Sequence, residues 1–150
     1  MGMKTKTTEN TIWWENNLNP MTPDAFTKLK SKVTSFLNTK NELYITERSV
    51  GADEKMNVSE RLITTHPQHA RFSTHLFRQK MRDFTAKDFT ILHAPEIKLE
   101  AGEFGNKDAE CIVTCFDTKT TIIVGTFYAG EIKKSMFSVM NYELPELGVL

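Results

Sequence analysis

Apolar positions along the chain follow two periods. From Phe26 the spacing is helical, with Phe26, Leu29, Val33, Phe36 and Leu37 recurring at three and four. Thr22 suits the cap of this helix, Pro23 its first position, and Asp24 the positive end of its dipole. Asn38 to Asn41 should close it as a turn. Leu43–Glu47 and Leu62–Thr65 read as short strands, and Gly51-Ala52-Asp53 starts a loop after the first. Helical spacing returns over Pro67–Phe77, where His69, Phe72 and Leu76 share an inner face. Phe89–Leu92 reads as a buried strand stopped by Pro95. Pro95–Asp108 is polar with two glycines and reads as a long surface loop. Cys111–Phe116 and Thr121–Thr126 form a hairpin around Asp117-Thr118-Lys119-Thr120. A last helix runs over Glu131–Tyr142 with Ile132, Met136, Phe137, Val139 and Met140 as its apolar stripe. Residues 1–11 read as a disordered tail, and Trp13 and Trp14 as an apolar plug against a helix. Helices and strands mix without strict alternation. That predicts an α/β fold of the α+β type, a mixed sheet with helices packed on it.

Length and charge narrow this picture. The 150 residues suit one domain, which can bury about 70% of its unfolded surface. Nineteen basic residues balance nineteen acidic ones. Binding nucleic acid or an anionic membrane through bulk charge needs a basic excess, so neither partner is expected. No apolar run reaches the roughly 18 residues of a membrane span, and the polar N-terminus lacks the apolar core of a signal peptide. Cys111 and Cys115 sit four apart. On one strand they face the same way but lie about 13 Å apart, too far to pair. Free packing thiols fit a reducing compartment, hence a cytoplasmic protein.

The candidate chemistry gathers in Gly125-Thr126-Phe127-Tyr128-Ala129-Gly130-Glu131-Ile132-Lys133-Lys134-Ser135-Met136-Phe137. A strand ends, a loop turns at Gly130, and a helix begins with two lysines in its first turn. Cations there oppose the helix dipole, at a cost of up to about 1 kcal/mol each when exposed. The same field disfavours a charged amine, and an uncharged one can act as a base or metal ligand. Alternatively Glu131 neutralises the turn and both lysines are simply solvated. His66 and His69 could form a metal pair, but His69 shares a face with Phe72 and Leu76, which favours a hydrogen-bonded core histidine. His75 and His93 stand alone and carry no signal. Glu96, Glu100, Glu103 and Asp108 read as a solvated face of the loop.

The run Tyr-Ala-Gly-Glu-Ile-Lys-Lys-Ser-Met-Phe-Ser-Val-Met-Asn-Tyr, residues 128–142, closely resembles the strand–loop–helix of ATP-dependent phosphoenolpyruvate carboxykinases. Ile12-Trp13-Trp14, Asn19-Pro20, Gly51-Ala52-Asp53, Arg61-Leu62-Ile63-Thr64, Asp88-Phe89-Thr90-Ile91 and Leu147-Gly148-Val149 recur in that family in the same order. The resemblance covers about residues 12–150. It implies the fold of part of the family's N-terminal, substrate-side domain. It also implies gluconeogenic conversion of oxaloacetate and ATP into phosphoenolpyruvate, carbon dioxide and ADP. Lys134 would then be a neutral-amine ligand to Mn2+, Lys133 would contact the phosphoryl group and substrate, and Tyr128 would position the substrate or the leaving carbon dioxide.

Departures from the family are as informative. The family's Arg-Ser-Pro-Lys-Asp segment, whose arginine binds the substrate carboxylate, has no match, since Arg48-Ser49-Val50 differs. No G-x-x-x-x-G-K-[ST] phosphate cradle occurs. ATP with its Mg2+ would be engaged only through a nucleotide-binding domain that this chain lacks, and the isolated chain should not turn over. Val124-Gly125-Thr126 stands where the family usually has Gly-Gly-Thr, and Ser73-Thr74-His75 where it usually has Ala-Arg-Asn. Two other roles fit the same residues: a non-catalytic interaction module, or a small anion-binding domain built on Lys133, Lys134 and the helix N-terminus.

Overall fold

A computed structural model of the chain describes residues 21–51, 57–106 and 108–146. The expected tail, the Trp13-Trp14 plug and the segments Asn19-Pro20, Ala52-Asp53 and Leu147-Gly148-Val149 lie outside them. The described elements are, in order, α1 (Pro23–Asn38), β1 (Tyr44–Val50), β2 (Val58–Thr64), α2 (Pro67–Leu76), β3 (Arg78–Gln79), β4 (Phe89–Ala94), β5 (Cys111–Cys115), β6 (Thr120–Val124) and α3 (Gly130–Glu146).

The strands form one mixed sheet in the order β3-β1-β2-β4-β6-β5. β2, β4 and β6 run parallel at its centre. β1 lies antiparallel to β2 and β3, and β5 antiparallel to β6. The parallel strands are buried on both faces, so they read as apolar runs such as Thr121-Ile122-Ile123-Val124. Period-two alternation divides their side chains between two cores. Leu92, Ala94, Ile122 and Val124 meet Phe26, Leu29, Val33 and Leu37 of α1 on one face. Leu62, Phe89, Ile91 and Ile123 meet Ile132, Met136 and Val139 of α3 on the other. The result is a mixed sheet with packed helices, as expected from the mixture of periods, with the helices divided between its two faces.

Local chemistry explains the helix starts. Thr22 is extended, and its Oγ1 accepts the Ala25 amide at 3.2 Å. Pro67 takes the first position of α2, where a missing N–H costs nothing. The β5–β6 hairpin turns through Lys119, which takes a left-handed φ of 52°. Cys111 and Cys115 share no disulfide and are both buried in the same core, as the spacing implied.

Several expectations are corrected. β2 begins at Val58 rather than Leu62, because polar Ser59 and Glu60 are buried in it and disguise the strand. β3 was not anticipated from its charged sequence. The buried stripe of α2 is His69, Ala70 and Ser73, while Phe72 and Leu76 are only half-buried. On α3, Phe137 leaves the predicted stripe and is 50% exposed. The stretch 95–106 is irregular, yet Ile97, Leu99 and Phe104 plug the α1-side core. Its glycines and charges hid the alternation of buried and exposed residues from Pro95 to Glu100.

Candidate functional site

The parallel strands end side by side. Thr64 of β2 pairs with His93 of β4, and Ala94 of β4 pairs with Val124 of β6. In α/β sheets this carboxyl edge is where ligands gather. Here it receives the loop 125–129 and the start of α3.

Gly125 opens that loop at φ +80°, and a Cβ there would lie 2.5 Å from the Ala109 carbonyl oxygen. Glycine is therefore required, both for the left-handed backbone and for the close approach. The Tyr128 amide donates to Thr126 Oγ1 at 3.1 Å. The Tyr128 ring then folds back over Gly130, where a Cβ would meet its Cζ at 2.6 Å. Helix α3 begins beneath it, with the amides of Glu131 and Ile132 bonded to the Tyr128 and Ala129 carbonyls.

Of the three expected site residues, Tyr128 and Lys134 come together. Lys134 Nζ lies 5.3 Å from the Tyr128 ring centre and 3.5 Å from Glu131 Oε1. Both are open to solvent: Tyr128 is 61% exposed and the Lys134 side chain 65%. An ion pair at that exposure contributes little to stability, which leaves the amine accessible. Lys133 points one residue further round the exposed face, its Nζ 5.4 Å from the Phe137 ring centre. With Phe127 53% exposed as well, the corner presents aromatic rings interleaved with two amines.

The layer beneath is made of histidines. His69 is buried, and its Nε2 meets the Phe127 carbonyl at 2.8 Å. It is thus the hydrogen-bonded core histidine its spacing suggested. Its ring stands 5.9 Å from that of His66, which turns to Glu96 Oε1 at 2.9 Å. Glu96 also accepts from Thr65 Oγ1 at 2.7 Å, so it is anchored rather than merely solvated. Glu100 and Asp108 are exposed, and Glu103 is exposed and paired with Lys32 at 2.9 Å.

His93, which carried no signal in the sequence, is central. It is buried 4.4 Å from the His69 ring, with Nδ1 2.8 Å from Thr64 Oγ1 and Nε2 3.3 Å from the Thr126 carbonyl. Burial, and then the neighbouring His69, pull it down to about 4. Its position directly after the apolar run Phe89–Leu92, inside what proves to be the same strand, was the available clue.

Among the described residues no group of three or more His, Cys, Asp or Glu could hold a metal ion. Lys134 and Glu131 offer two donors, against the roughly six of an octahedral ion. These residues do not fit a resident metal by themselves, and no step below is routed through one. No helix among the described residues is long and apolar enough to cross a membrane.

Fold and corner together define an α/β domain that presents basic and aromatic side chains at the carboxyl edge of its parallel strands. Comparison with known proteins is consistent with that. The family model described as phosphoenolpyruvate carboxykinase matches residues 2–150. Phosphoenolpyruvate carboxykinase (ATP) of Bacillus velezensis is 37% identical over 99% of this chain and 29% of its own length. The protein of the same description from Geobacillus kaustophilus is 38% identical over 95% of this chain and 28% of its own length. That from Thermus thermophilus is 34% identical over 94% and 28% respectively. The chain belongs to the phosphoenolpyruvate carboxykinase family. It spans less than a third of the length of these relatives.

Proposed function

We propose that this chain supplies the substrate-side corner of an ATP-dependent phosphoenolpyruvate carboxykinase, with Tyr128, Lys133 and Lys134 as its working residues. The observation that carries the reading is the joint placement of Tyr128 and Lys134 at the carboxyl edge, with Lys133 beside them on the open face of α3. Oxaloacetate is a dianion whose decarboxylation leaves the electron pair of the broken C–C bond in an enolate. The enolate oxygen then attacks the γ-phosphorus of ATP, and ADP leaves.

Each residue has a task in that sequence. The Lys133 ammonium offsets charge on the substrate and on the phosphoryl group in transit. The Tyr128 hydroxyl and ring orient the carboxylate that departs as carbon dioxide. Lys134 presents its amine beside them, where it would offer one donor to a bound Mn2+ only if residues other than those described completed the set. ATP and its Mg2+ are held by residues outside the described corner. The reading carries with it a cytoplasmic, gluconeogenic enzyme, a setting that two buried cysteines outside any disulfide suit.

A chimera in which this chain replaces the matching span of the Bacillus velezensis relative tests the assignment. It should form phosphoenolpyruvate from oxaloacetate and ATP, while the 150-residue chain alone should not. Lys133→Ala should abolish turnover. Lys134→Arg should sharply weaken use of manganese, because a guanidinium stays protonated. Turnover by the chain alone, or an active chimera indifferent to Lys133→Ala, defeats the reading. Unchanged manganese dependence removes the Lys134 role.

A further inference from the structure

The loop 125–129 joins β6 to α3, and each of its five carbonyls has a partner. The Tyr128 and Ala129 carbonyls accept the first amides of α3. The three before them accept from side chains on three separate parts of the chain. Lys98 Nζ, from the stretch after β4, donates to the Gly125 carbonyl. His93 of β4 meets the Thr126 carbonyl at 3.3 Å, and His69 of α2 the Phe127 carbonyl at 2.8 Å. Connecting loops usually leave their carbonyls to water. Three consecutive carbonyls fixed by basic side chains is a costly arrangement, since it places two histidines in the interior.

The acceptors determine the protons. A carbonyl oxygen can only accept, so both rings must carry hydrogen on Nε2. His93 Nδ1 is then a lone pair, and the Thr64 hydroxyl must donate to it across 2.8 Å. Thr64 Oγ1 in turn accepts the His66 amide at 3.1 Å. His69 Nδ1 is buried without a hydrogen-bond partner among the described residues. A bare lone pair there costs less than a stranded N–H. Both rings thus present an Nε2–H to the loop.

We propose that Lys98, His93 and His69 act as a clamp that positions Tyr128 and the start of α3 for ligand engagement. They are positioning residues: they grip the backbone, and through it the groups that meet the ligand. The role in ligand engagement rests on the function proposed above, whereas the grip on the loop does not.

The experiment uses the 150-residue chain and two readouts. The first is amide hydrogen exchange at Tyr128, Glu131 and Ile132, with Leu62 and Ile91 in the sheet as references. The second is oxalate affinity, oxalate being a stable dicarboxylate stand-in for the substrate. His69→Leu, which keeps bulk but loses the donor, should speed exchange at the three loop and helix-start amides at least tenfold. It should leave the sheet amides unchanged and weaken oxalate several-fold. His69→Gln can place an amide N–H where Nε2 was, and should restore both. Unchanged exchange in His69→Leu, equal acceleration in the sheet, or no rescue by Gln overturns the clamp. If the wild-type chain binds no oxalate, the proposed ligand role fails while the exchange data still decide the grip. Should the leucine variant not fold, nitrogen-15 spectra of the wild-type histidines decide it. Two Nε2–H tautomers support the clamp, and an Nδ1–H on either ring overturns it.

Discussion

Glu60 is a carboxyl group sealed in the sheet, and its ionisation should show in the stability of the whole chain. It stands on β2 opposite Arg48 of β1, fully buried beneath α2. Ser73 Oγ donates to its Oε1 at 2.5 Å, while its Oε2 has no hydrogen-bond partner among the described residues. Burial pushes the carboxyl up to about 7 from an ordinary 4.5, against the opposing pull of Ser73 and the Arg48 charge. The folded state therefore holds this proton more tightly than the unfolded chain between those two values. Stability must fall as pH rises from about 4.5 to 7, by about 3 kcal/mol at 1.4 kcal/mol per unit. His93 acts with the opposite sign. It is held near 4 in the fold against an ordinary 6.5, so stability falls as pH drops through that window. The two slopes oppose each other where they overlap, and the wild-type curve should look deceptively flat. Glu60→Gln separates them. Glutamine keeps an oxygen for the Ser73 hydroxyl and never ionises, though its buried amide hydrogens cost about 1–3 kcal/mol at any pH. In urea unfolding followed by circular dichroism, the variant should gain about 3 kcal/mol relative to wild type between acid and mildly alkaline buffer. A difference that stays level with pH would refute the reasoning and mean that Glu60 is ionised throughout, paired with Arg48.

Two further effects follow from other buried groups. Asp88 has no exposed side-chain surface and receives both Arg82 nitrogens at 2.6 Å, along with the Ser59 and Thr85 amides. Burial alone would raise its carboxyl, but Arg82 and the two amides hold it below the usual range. Asp88→Ala should cost about 3 kcal/mol by stranding Arg82, read as a lower urea midpoint, and the loss should shrink as pH falls through the depressed value. His93→Gln should remove the acid sensitivity ascribed to that ring, flattening the decline of stability between about pH 6.5 and 4; an unaltered acid limb would show that another group titrates there.

Legibility in the sequence followed chemistry that is local. Thr22-Pro23-Asp24 announced α1 because a cap, a fixed φ and a dipole-matched charge all act within one turn. The hairpin and the start of α3 were readable for the same reason. What stayed hidden depends on partners distant in the chain. Glu60 looks like a solvated residue until Ser73 is brought over it, thirteen positions away, so β2 appeared to begin too late. His93 seemed isolated because Thr64 and Thr126, its partners, are some thirty residues off on either side. The family resemblance singled out Tyr128, Lys133 and Lys134 as candidates, which composition alone would have left as surface residues. It said nothing of the three side chains that grip the loop beneath them.

The places where this chain departs from the family pattern acquire reasons in the same way. Val124, where the resemblance implies glycine, is buried in the core on the α1 side, opposite Cys111 on β5 and beside Gly125. Ser73, where the resemblance implies alanine, provides the hydroxyl that satisfies one oxygen of the buried Glu60. Ser73→Ala therefore introduces the residue that the resemblance implies yet should weaken this protein. Removing the donor leaves both carboxylate oxygens bare in the interior, at a cost of about 1–3 kcal/mol where Glu60 is ionised. In acid, where the carboxyl is protonated and needs less from its neighbour, the cost should diminish. Urea unfolding of the serine and alanine forms at the two extremes of pH measures both. If alanine is neutral or stabilising in alkaline buffer, Ser73 is incidental, and Glu60 must draw its tolerance of burial from Arg48 instead.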